Sequence, residues 1–263
     1  MPDPVLEVRG LVNRFGDQVV HDGLDMDVYK DEVFGIVGGS GSGKSVLLRT
    51  ILGLQRPQAG KVCIEGQDIT NMSEAQLRPI KCRYGVAFQE GALYSGLTVL
   101  QNVQLPMIEY FDFEKEVLDD LALLKIRLAG LPADAAGKYP SQLSGGMVKR
   151  AAIACALALD PGLLFLDEPT SGLDPVSAAA FDDLTLFLQK QLKLTIVMVT
   201  HDLDSIFRTC NRVGVIVDRR MESDTVERIV DHPNPWIQEY FHGERARGAR
   251  LAVGLGSGEP HGT

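Results

Sequence analysis

The eight residues GGSGSGKS at positions 38–45 constrain the fold of this chain more than any other stretch. They match the phosphate-loop pattern G-x-x-x-x-G-K-[ST] and lie between the apolar run VFGIV and the helical pattern VLLRTIL. Glycines let successive backbone N–H groups point into one concavity, and the following helix adds its positive end, so that a phosphate is surrounded by donors. The stretch therefore predicts a nucleotide-binding unit of strand, loop and helix.

This loop also carries two side chains suited to a nucleoside triphosphate. We expect Lys44 to reach the β- and γ-phosphates, and Ser45 to offer its hydroxyl to a Mg²⁺ ion that bridges them. The positions of the loop that are expected to contact the nucleotide are Gly38, Gly39, Ser40, Gly41, Ser42, Gly43, Lys44 and Ser45.

Continuous apolar runs predict the core sheet. They are Val33–Val37, Leu163–Leu166, Ile196–Val199 and Val213–Val217. Runs that do not alternate are typical of strands covered on both faces, and helical patterns lie between them. One such pattern, Val176, Ala180, Leu184 and Leu188, follows Pro175, a favourable residue for a first helical turn. The sequence therefore predicts an α/β fold with a mostly parallel sheet and helices on both faces.

Two segments differ from this core. The N-terminal stretches LEVRGLVNRF and KVCIEG are short and partly alternating, which favours an antiparallel β lobe beside the main sheet. Residues from about 89 to 159 contain mainly helical patterns, which predicts an inserted helical subdomain. The tail begins near Asp231, and after HPNPWIQEYF it becomes rich in Gly and polar residues, so we expect the last ten or so to be mobile. Arg245, Arg247 and Arg250 there are either solvated charges or a contact surface.

Charge and hydropathy exclude some classes of function. The 263 residues carry a net charge of -9, whereas a sequence-independent grip on DNA or RNA depends on Lys and Arg. Hydrophobic residues make up 45%, as in an ordinary globular chain. No apolar run approaches the roughly 18 to 20 residues that cross a bilayer, so we expect any membrane contact to come through a partner.

A second chemical signal lies in GLLFLDEP, where Asp167 and Glu168 follow four apolar residues. Two adjacent carboxylates at the end of a buried strand are costly unless they serve a cation and a water. We expect Asp167 to hold Mg²⁺ through its water shell, and Glu168 to accept a proton from the water that attacks the γ-phosphate. Alone, such a pair is more often a helix cap or a surface feature. The apolar run and the upstream phosphate loop favour catalysis.

The third signal is LSGGM at residues 143–147, followed by VKRAAIACALAL. This glycine pair opens a helix and predicts a second anion site. One chain with one nucleotide pocket has no evident use for it. A head-to-tail homodimer does, because an isologous interface lets this loop of each copy close over the phosphates held by the other.

With these motifs in this order, the chain resembles the ATPase subunits of ABC transporters over about residues 6–230. The resemblance implies a P-loop NTPase (RecA-like) core, an ABC ATPase domain over 1–230 and a C-terminal extension over 231–263. It implies that Gln89 senses Mg²⁺ and the attacking water, and that His201 contacts the γ-phosphate of ATP. The other nucleotide-contacting positions that it implies are Phe15 against adenine, Val46, and, from the opposing copy, Ser144, Gly145, Gly146 and Asp174.

The sequence departs from the family at three of these places. Phe15 stands where Tyr is usual, and its alternative role is an ordinary core or edge aromatic. Met147 replaces the Gln that commonly ends LSGGQ, which removes an amide from the expected dimer contact. Val46 replaces a common Thr outside the metal shell, where we expect little effect.

Within the family, FQEGALYSGLTVLQNVQLPM resembles the ATPases of Mla- and Mce-type phospholipid transport in bacterial envelopes. This resemblance implies a peripheral protein on the cytoplasmic face of the inner membrane. Its partners would be integral-membrane permease subunits, a small cytoplasmic regulatory protein and a Mce-domain lipid-binding subunit. The residues expected to contact the permease are Leu93, Tyr94, Leu97 and Val99, and those expected to anchor the tail on a second copy are Trp236, Tyr240 and Phe241.

Two other functions stay open at this point. One is the ATPase of an importer for a small polar solute such as an amino acid. The other is a soluble ABC-type ATPase that acts on nucleic acid or ribosomes, although the chain shows neither heptads nor an internal repeat. A non-catalytic nucleotide-binding module would lack Lys44, Glu168 or His201, and all three are present.

Overall fold

The structure is a computed structural model that describes residues 3–243. The strands in this range are β1 (Leu6–Phe15), β2 (Gln18–Val28), β3 (Val33–Gly38), β4 (Ala59–Ile64), β5 (Gln67–Asp68), β6 (Tyr84–Ala87), β7 (Leu163–Asp167), β8 (Thr195–Val199), β9 (Arg212–Val217) and β10 (Arg220–Thr225). The α-helices are α1 (Lys44–Ile51), α2 (Glu74–Lys81), α3 (Val99–Tyr110), α4 (Lys115–Leu128), α5 (Gly145–Ala156), α6 (Pro175–Leu192), α7 (Leu203–Thr209), α8 (Val226–Ile229) and α9 (Pro235–His242).

Within the described residues, six strands form the main sheet in the order β10-β9-β3-β8-β7-β6. Neighbours from β9 to β6 are parallel, and only β10 runs antiparallel, in a hairpin with β9. Every residue of β3 is buried, as the unbroken apolar run requires. The expected α/β fold with a mostly parallel sheet is confirmed.

The parallel strands bring four loops to one edge of the sheet. Because β3, β8, β7 and β6 are neighbours that run in the same direction, their carboxyl ends lie side by side. The segments that begin there are the phosphate loop after Gly38, the residues after Val199, the carboxylates at 167–168 and the loop after Ala87. This edge is where open α/β sheets bind ligands.

A second, antiparallel sheet in the described range has the order β2-β1-β4-β5. Along β1 buried positions alternate with more exposed ones at first, and register shifts interrupt its pairing with β2. The buried side chains Leu6 and Val8 join the same core cluster as Phe34 of β3 and Leu47 of α1. The expected antiparallel β lobe is confirmed, and it packs on the main sheet.

Residues 89–159 form α3, α4, α5 and two short 3-10 helices, Ala133–Gly137 and Pro140–Gln142. Thr98 caps α3 in a capping box with Gln101, and alanines on α5 allow close helix packing. Strand β6 also lies close to α5: a Cβ built on Gly85 would lie 2.0 Å from the carbonyl oxygen of Ala156. The helical insertion is therefore present, and its boundaries stay a prediction.

Helix α9, the last in the described range, packs against the face of the main sheet opposite the antiparallel β lobe. Ile237 and Phe241 are fully buried in a cluster with Val37 of β3 and Val215 of β9. The expectation that Phe241 anchors a contact with a second copy is therefore wrong, because its own chain already covers it. The three arginines at 245, 247 and 250, and the predicted mobile end, lie outside the described residues.

Among residues 3–243, no helix combines the length and the apolar character that a bilayer crossing demands.

Candidate active site

The phosphate loop leaves β3 at Gly38 and enters α1 at Lys44. Gly41 and Gly43 have φ values of 77° and 100°, in the region that favours glycine. A Cβ on Gly43 would lie 2.4 Å from Val20 and 2.5 Å from Nε2 of His21, whereas a Cβ on Gly41 would meet no described atom within 4 Å. The loop therefore needs glycine at 43 for space, and it presents an open face at Gly41.

Lys44 is held inside this loop. Its Nζ donates to the carbonyl oxygens of Gly38 at 2.8 Å and Gly39 at 3.3 Å. Burial lowers the pKa of Lys44, and the negative charges of Glu168 and Asp167 act in the opposite direction. The ammonium group is thus fixed near two carboxylates at a site that also offers backbone donors to an anion.

Glu168 and His201 form the central contact of this edge. His201 Nδ1 donates to Glu168 Oε2 at 2.7 Å, and the side chains are 68% and 15% exposed, respectively. Glu168 has a φ of 47°, which a residue with a Cβ rarely adopts, and its N–H donates to the carbonyl of Val199. A strained backbone persists only where the surrounding structure holds it in place, and such residues are common at functional sites. An open cavity of about 350 Å³ adjoins both side chains.

The environment of the Asp167 carboxylate favours a bound cation. Burial, followed by the negative charge of Glu168, raises the pKa of Asp167, while Arg49, Lys149 and Lys44 lower it. A divalent cation would relieve this destabilised charge. The expected ligands are the Asp167 carboxylate, the Ser45 hydroxyl and the Gln89 amide, and these are the oxygen donors that Mg²⁺ prefers.

Sequence reasoning missed Lys149, whose ammonium group links the backbone of Gln89 to the backbone of Glu168. Its Nζ donates to the carbonyl oxygen of Gln89 at 2.6 Å and to that of Glu168 at 3.0 Å. The Gln89 amide itself points to Ser171 Oγ at 3.5 Å. The available signal was spacing, because Lys149 follows Gly145 by one helical turn and so projects from the same face of α5.

Among the described residues, no hydrogen bond joins the second glycine loop to the phosphate loop of its own chain. The hydrogen bonds of Ser144 in the described residues stay within α5, from the N–H groups of Met147 and Val148. A Cβ on Gly146 would meet only Leu173, at 3.9 Å, among the described atoms. Asp174 caps α6 by accepting from the N–H groups of Val176 and Ser177. These predicted residues adjoin each other and leave an open surface.

The expected adenine side of the loop is accessible. Phe15 ends β1 and is 49% exposed, which leaves its ring free for stacking. A cavity of about 410 Å³ lies between the β1–β2 turn and the phosphate loop, with Asp17, Val20, Gly41 and Arg219 in its wall. Its size suits part of a nucleotide. Val46 is half-buried on α1.

Behind the loop lies a buried polar network that the sequence did not predict. His21 Nδ1 lies 2.9 Å from Asn13 Oδ1, and Asn13 Nδ2 donates to Thr50 Oγ1 at 3.2 Å. All three side chains are buried, and His21 Nε2 has no hydrogen-bond partner among residues 3–243. Burial lowers the pKa of His21 to about 4. The network joins β1 and β2 to α1, and so supports the loop from behind.

The surface expected to receive the permease is only partly exposed. Tyr94 is 66% exposed, but Val99 is fully buried as the first residue of α3, so its assignment as a contact residue is wrong. An open cavity of about 360 Å³ lies beside α3, between it and the main sheet. Apolar residues in its wall include Leu54, Tyr84, Phe88, Pro106, Tyr110 and Leu159. This cavity is the better candidate for an apolar contact.

A phosphate loop between a buried strand and a helix, with adjacent carboxylates at the end of a neighbouring strand, is the arrangement of P-loop nucleotide-hydrolysing proteins. Comparison with known proteins gives the family. Residues 21–171 match the family model described as ABC transporter, and the chain belongs to this family.

Two curated relatives illustrate the spread within it. The intermembrane phospholipid transport system ATP-binding protein MlaF of Haemophilus influenzae is 34% identical over 93% of this chain and 92% of its own length. The methionine import ATP-binding protein MetN of Caulobacter vibrioides is 42% identical over 89% of this chain and 70% of its own length.

Among solved structures, the dimeric structure of MJ0796, a bacterial ABC transporter cassette, matches with a TM-score of 0.77. It is 29% identical, and the match covers 84% of this chain and 98% of that one. A second structure of this cassette, a dimeric post-hydrolysis state bound to ADP and Pi, matches equally well. The chain is therefore an ATP-binding subunit of an ABC transporter, from a family that hydrolyses ATP.

Proposed function

We propose that this chain hydrolyses ATP at a site shared by two copies and uses the cycle to drive phospholipid transport between bacterial membranes. The observation that carries the catalytic part is the 2.7 Å contact of His201 with Glu168, at the sheet edge that also holds Lys44. Among the described residues at this edge, Glu168 and His201 are the only pair that joins a carboxylate on a strained backbone to an exposed histidine.

Each group has a defined role in this proposal. Lys44 and the backbone N–H groups of the phosphate loop hold the β- and γ-phosphates. Glu168 accepts the proton of the attacking water through its carboxylate. His201 contacts the γ-phosphate and also orients the Glu168 carboxylate through its hydrogen bond. Ser45, Gln89 and Asp167 would hold Mg²⁺, which supplies charge neutralisation on the phosphates when bound.

The site is completed by a second copy arranged head to tail. Gly145 and Gly146 open α5: a Cβ on Gly145 would meet no described atom within 4 Å, and one on Gly146 would meet only Leu173. No hydrogen bond within the described chain ties Ser144 to the phosphate loop. The free N–H groups at an exposed helix N-terminus that begins with glycines can bind an anion, here one supplied by another copy. In the proposed dimer Ser144, Gly145 and Gly146 cap the phosphates of the other copy, and Asp174 links the two sites. Met147 then faces this interface.

Phospholipid is the proposed cargo because two observations agree. The segment FQEGALYSGLTVLQNVQLPM resembles Mla- and Mce-type ATPases, and the match to the Haemophilus MlaF covers 92% of that protein. The partners in this proposal are permease subunits at the apolar cavity beside α3, a Mce-domain lipid-binding subunit and a small cytoplasmic regulatory protein. The chain then lies on the cytoplasmic face of the inner membrane.

A second candidate cargo is a small polar solute such as an amino acid. The 42% identity to the Caulobacter MetN, a methionine import protein, favours it. Purification with the native membrane partners, followed by identification of the bound compound, separates the two. Copurified phospholipid supports the first cargo, and a bound amino acid supports the second.

The catalytic assignment is tested with Glu168→Gln. Loss of the proton acceptor should lower kcat about 100-fold or more, while ATP binding persists and a closed dimer accumulates. Glu116→Gln, which removes an exposed carboxylate on α4, is the matched control and should hydrolyse ATP at the wild-type rate. Near-normal hydrolysis by Glu168→Gln would remove Glu168 from the mechanism.

A further inference from the structure

The indole of Trp236 lies against the backbone of the phosphate loop in its own chain. A Cβ built on Gly39 would lie 3.6 Å from Cζ2 of Trp236 and 3.9 Å from its Nε1, so the indole occupies the space directly beside this backbone position. Gly39 is also one of the two residues whose carbonyl holds Lys44. An aromatic side chain of α9 therefore covers the loop directly beside the lysine.

Tyr240, one helical turn later, reaches the neighbouring loop. Its hydroxyl donates to the carbonyl oxygen of His201 in a long hydrogen bond of 3.4 Å. Burial raises the pKa of Tyr240, and the negative charges of Glu168 and Asp202 act in the same direction. The neutral phenol is therefore the stable form beside the catalytic carboxylate.

The cap of α9 and its buried residues orient the face that carries Trp236 and Tyr240 towards the site. Asn234 caps the helix by accepting from the N–H of Trp236, and Pro235 occupies its first position. Ile237 and Phe241 are fully buried against the sheet. Trp236 and Tyr240 precede them by one position each and stack on each other, with ring centroids 5.1 Å apart. The two rings thus form one rigid face between two loops.

We propose that α9 positions both nucleotide-contacting loops of its own chain, Trp236 acting on the phosphate loop and Tyr240 acting on His201. This inference rests on the proposed ATPase function. Trp236 restricts the backbone of Gly39, so that the loop is preorganised for ATP. Tyr240 holds the loop that carries His201, which in turn orients Glu168. Neither residue touches the reacting atoms.

Trp236 is the single tryptophan of the chain, which makes it a direct reporter. MgATP added to Glu168→Gln should change the intrinsic tryptophan emission, with half-saturation at the Kd that equilibrium dialysis gives for the same variant. The same titration of a Lys44→Ala variant should leave the emission unchanged. Emission that stays constant while dialysis shows bound ATP would overturn the role of Trp236. Absence of ATP binding by dialysis would instead refute the proposed ATPase.

Steady-state kinetics separate positioning from a general loss of structure. Trp236→Ala should raise KM and Kd for ATP about threefold to tenfold with kcat nearly unchanged, and Trp236→Phe should restore most of the affinity. Tyr240→Phe should lower kcat about twofold to fivefold with KM unchanged, because it removes only the hydroxyl. Glu239→Ala, an exposed position between them, is the control and should match the wild type in both constants.

The decisive result is the separation of the two effects: Trp236→Ala changes KM alone, and Tyr240→Phe changes kcat alone. If the Trp236 and Tyr240 variants both showed a higher KM and a lower kcat, together with a lowered Tm, α9 would only stabilise the fold. Wild-type constants in Trp236→Ala and Tyr240→Phe would also overturn the proposal. A wild-type protein without ATPase activity would contradict the proposed function before either variant is considered.

Discussion

The imidazole of His21 is buried directly behind the phosphate loop, and its environment holds it neutral. Nδ1 carries the proton, since its partner at 2.9 Å is the Oδ1 acceptor of Asn13. Nε2 has no partner among the described residues and lies 2.5 Å from the point where Gly43 would carry a Cβ. A proton added to Nε2 would therefore find no acceptor. Burial accordingly lowers the pKa of His21 from 6.5 to about 4.

This shift makes stability depend on pH with a defined sign. The unfolded chain protonates His21 below about pH 6.5, whereas the folded chain does so only near pH 4. The stabilisation is therefore complete above pH 6.5 and is lost as the pH falls towards 4. Linkage gives a loss of about 2 kcal/mol in the free energy of unfolding between pH 7 and pH 5.

The assay compares wild type with His21→Gln by urea denaturation at the two pH values. The variant should be less stable at pH 7, because it disturbs the contact with Asn13, yet it should lose about 2 kcal/mol less than the wild type on going to pH 5. Groups other than His21 contribute equally to both proteins and cancel. Identical losses in the two proteins would refute the account of a buried neutral imidazole.

Three other substitutions have definite expected results. Burial raises the pKa of Asp182 to about 6, so the wild type loses stability as the pH rises through this value and the carboxyl group ionises. Asp182→Asn cannot ionise, and in the same urea assay it should therefore lose less stability than the wild type between pH 5 and pH 7. Lys193→Gly should raise the free energy of unfolding by about 0.5 kcal/mol with unchanged ATPase activity, because Lys193, the C-cap that follows α6, has a φ of 51° in the region that favours glycine. Gly85→Ala should cost about 2–3 kcal/mol through its clash with Ala156, whereas Gly96→Ala, which meets no described atom within 4 Å, should melt like the wild type.

The parts of the molecule that the sequence predicted are those governed by local rules. The phosphate loop needs glycines and a lysine at fixed spacing, and the core strands need unbroken apolar runs, so both are readable without knowledge of the fold. Strand β10 was not predicted, because RMESDT is polar and lies at the sheet edge, where one backbone side has no strand partner in the described range. Its partner β9 supplies the pairing that its own composition does not indicate.

Contacts between distant segments account for the rest. Lys149 meets Gln89 60 positions away, and Tyr240 meets His201 39 positions away. Such pairs depend on how helices pack, which a single sequence does not state. For α6 the sequence predicts the helix itself, which the structure contains. Val176, which the pattern places on its apolar face, is 79% exposed, because it lies in the first turn beside Asp174.

In the proposed dimer, a complete site takes its phosphate loop from one copy and its Ser144-Gly145-Gly146 loop from the other. Two variants test this claim together: Lys44→Ala removes the first half-site, and Ser144→Arg blocks the second. Each should be inactive alone. Mixed in equal amounts, about half of the dimers are mixed and contain one intact site, so ATPase activity should return to about a quarter of the wild-type rate. A mixture as inactive as its components, or full activity of Ser144→Arg alone, would contradict the account.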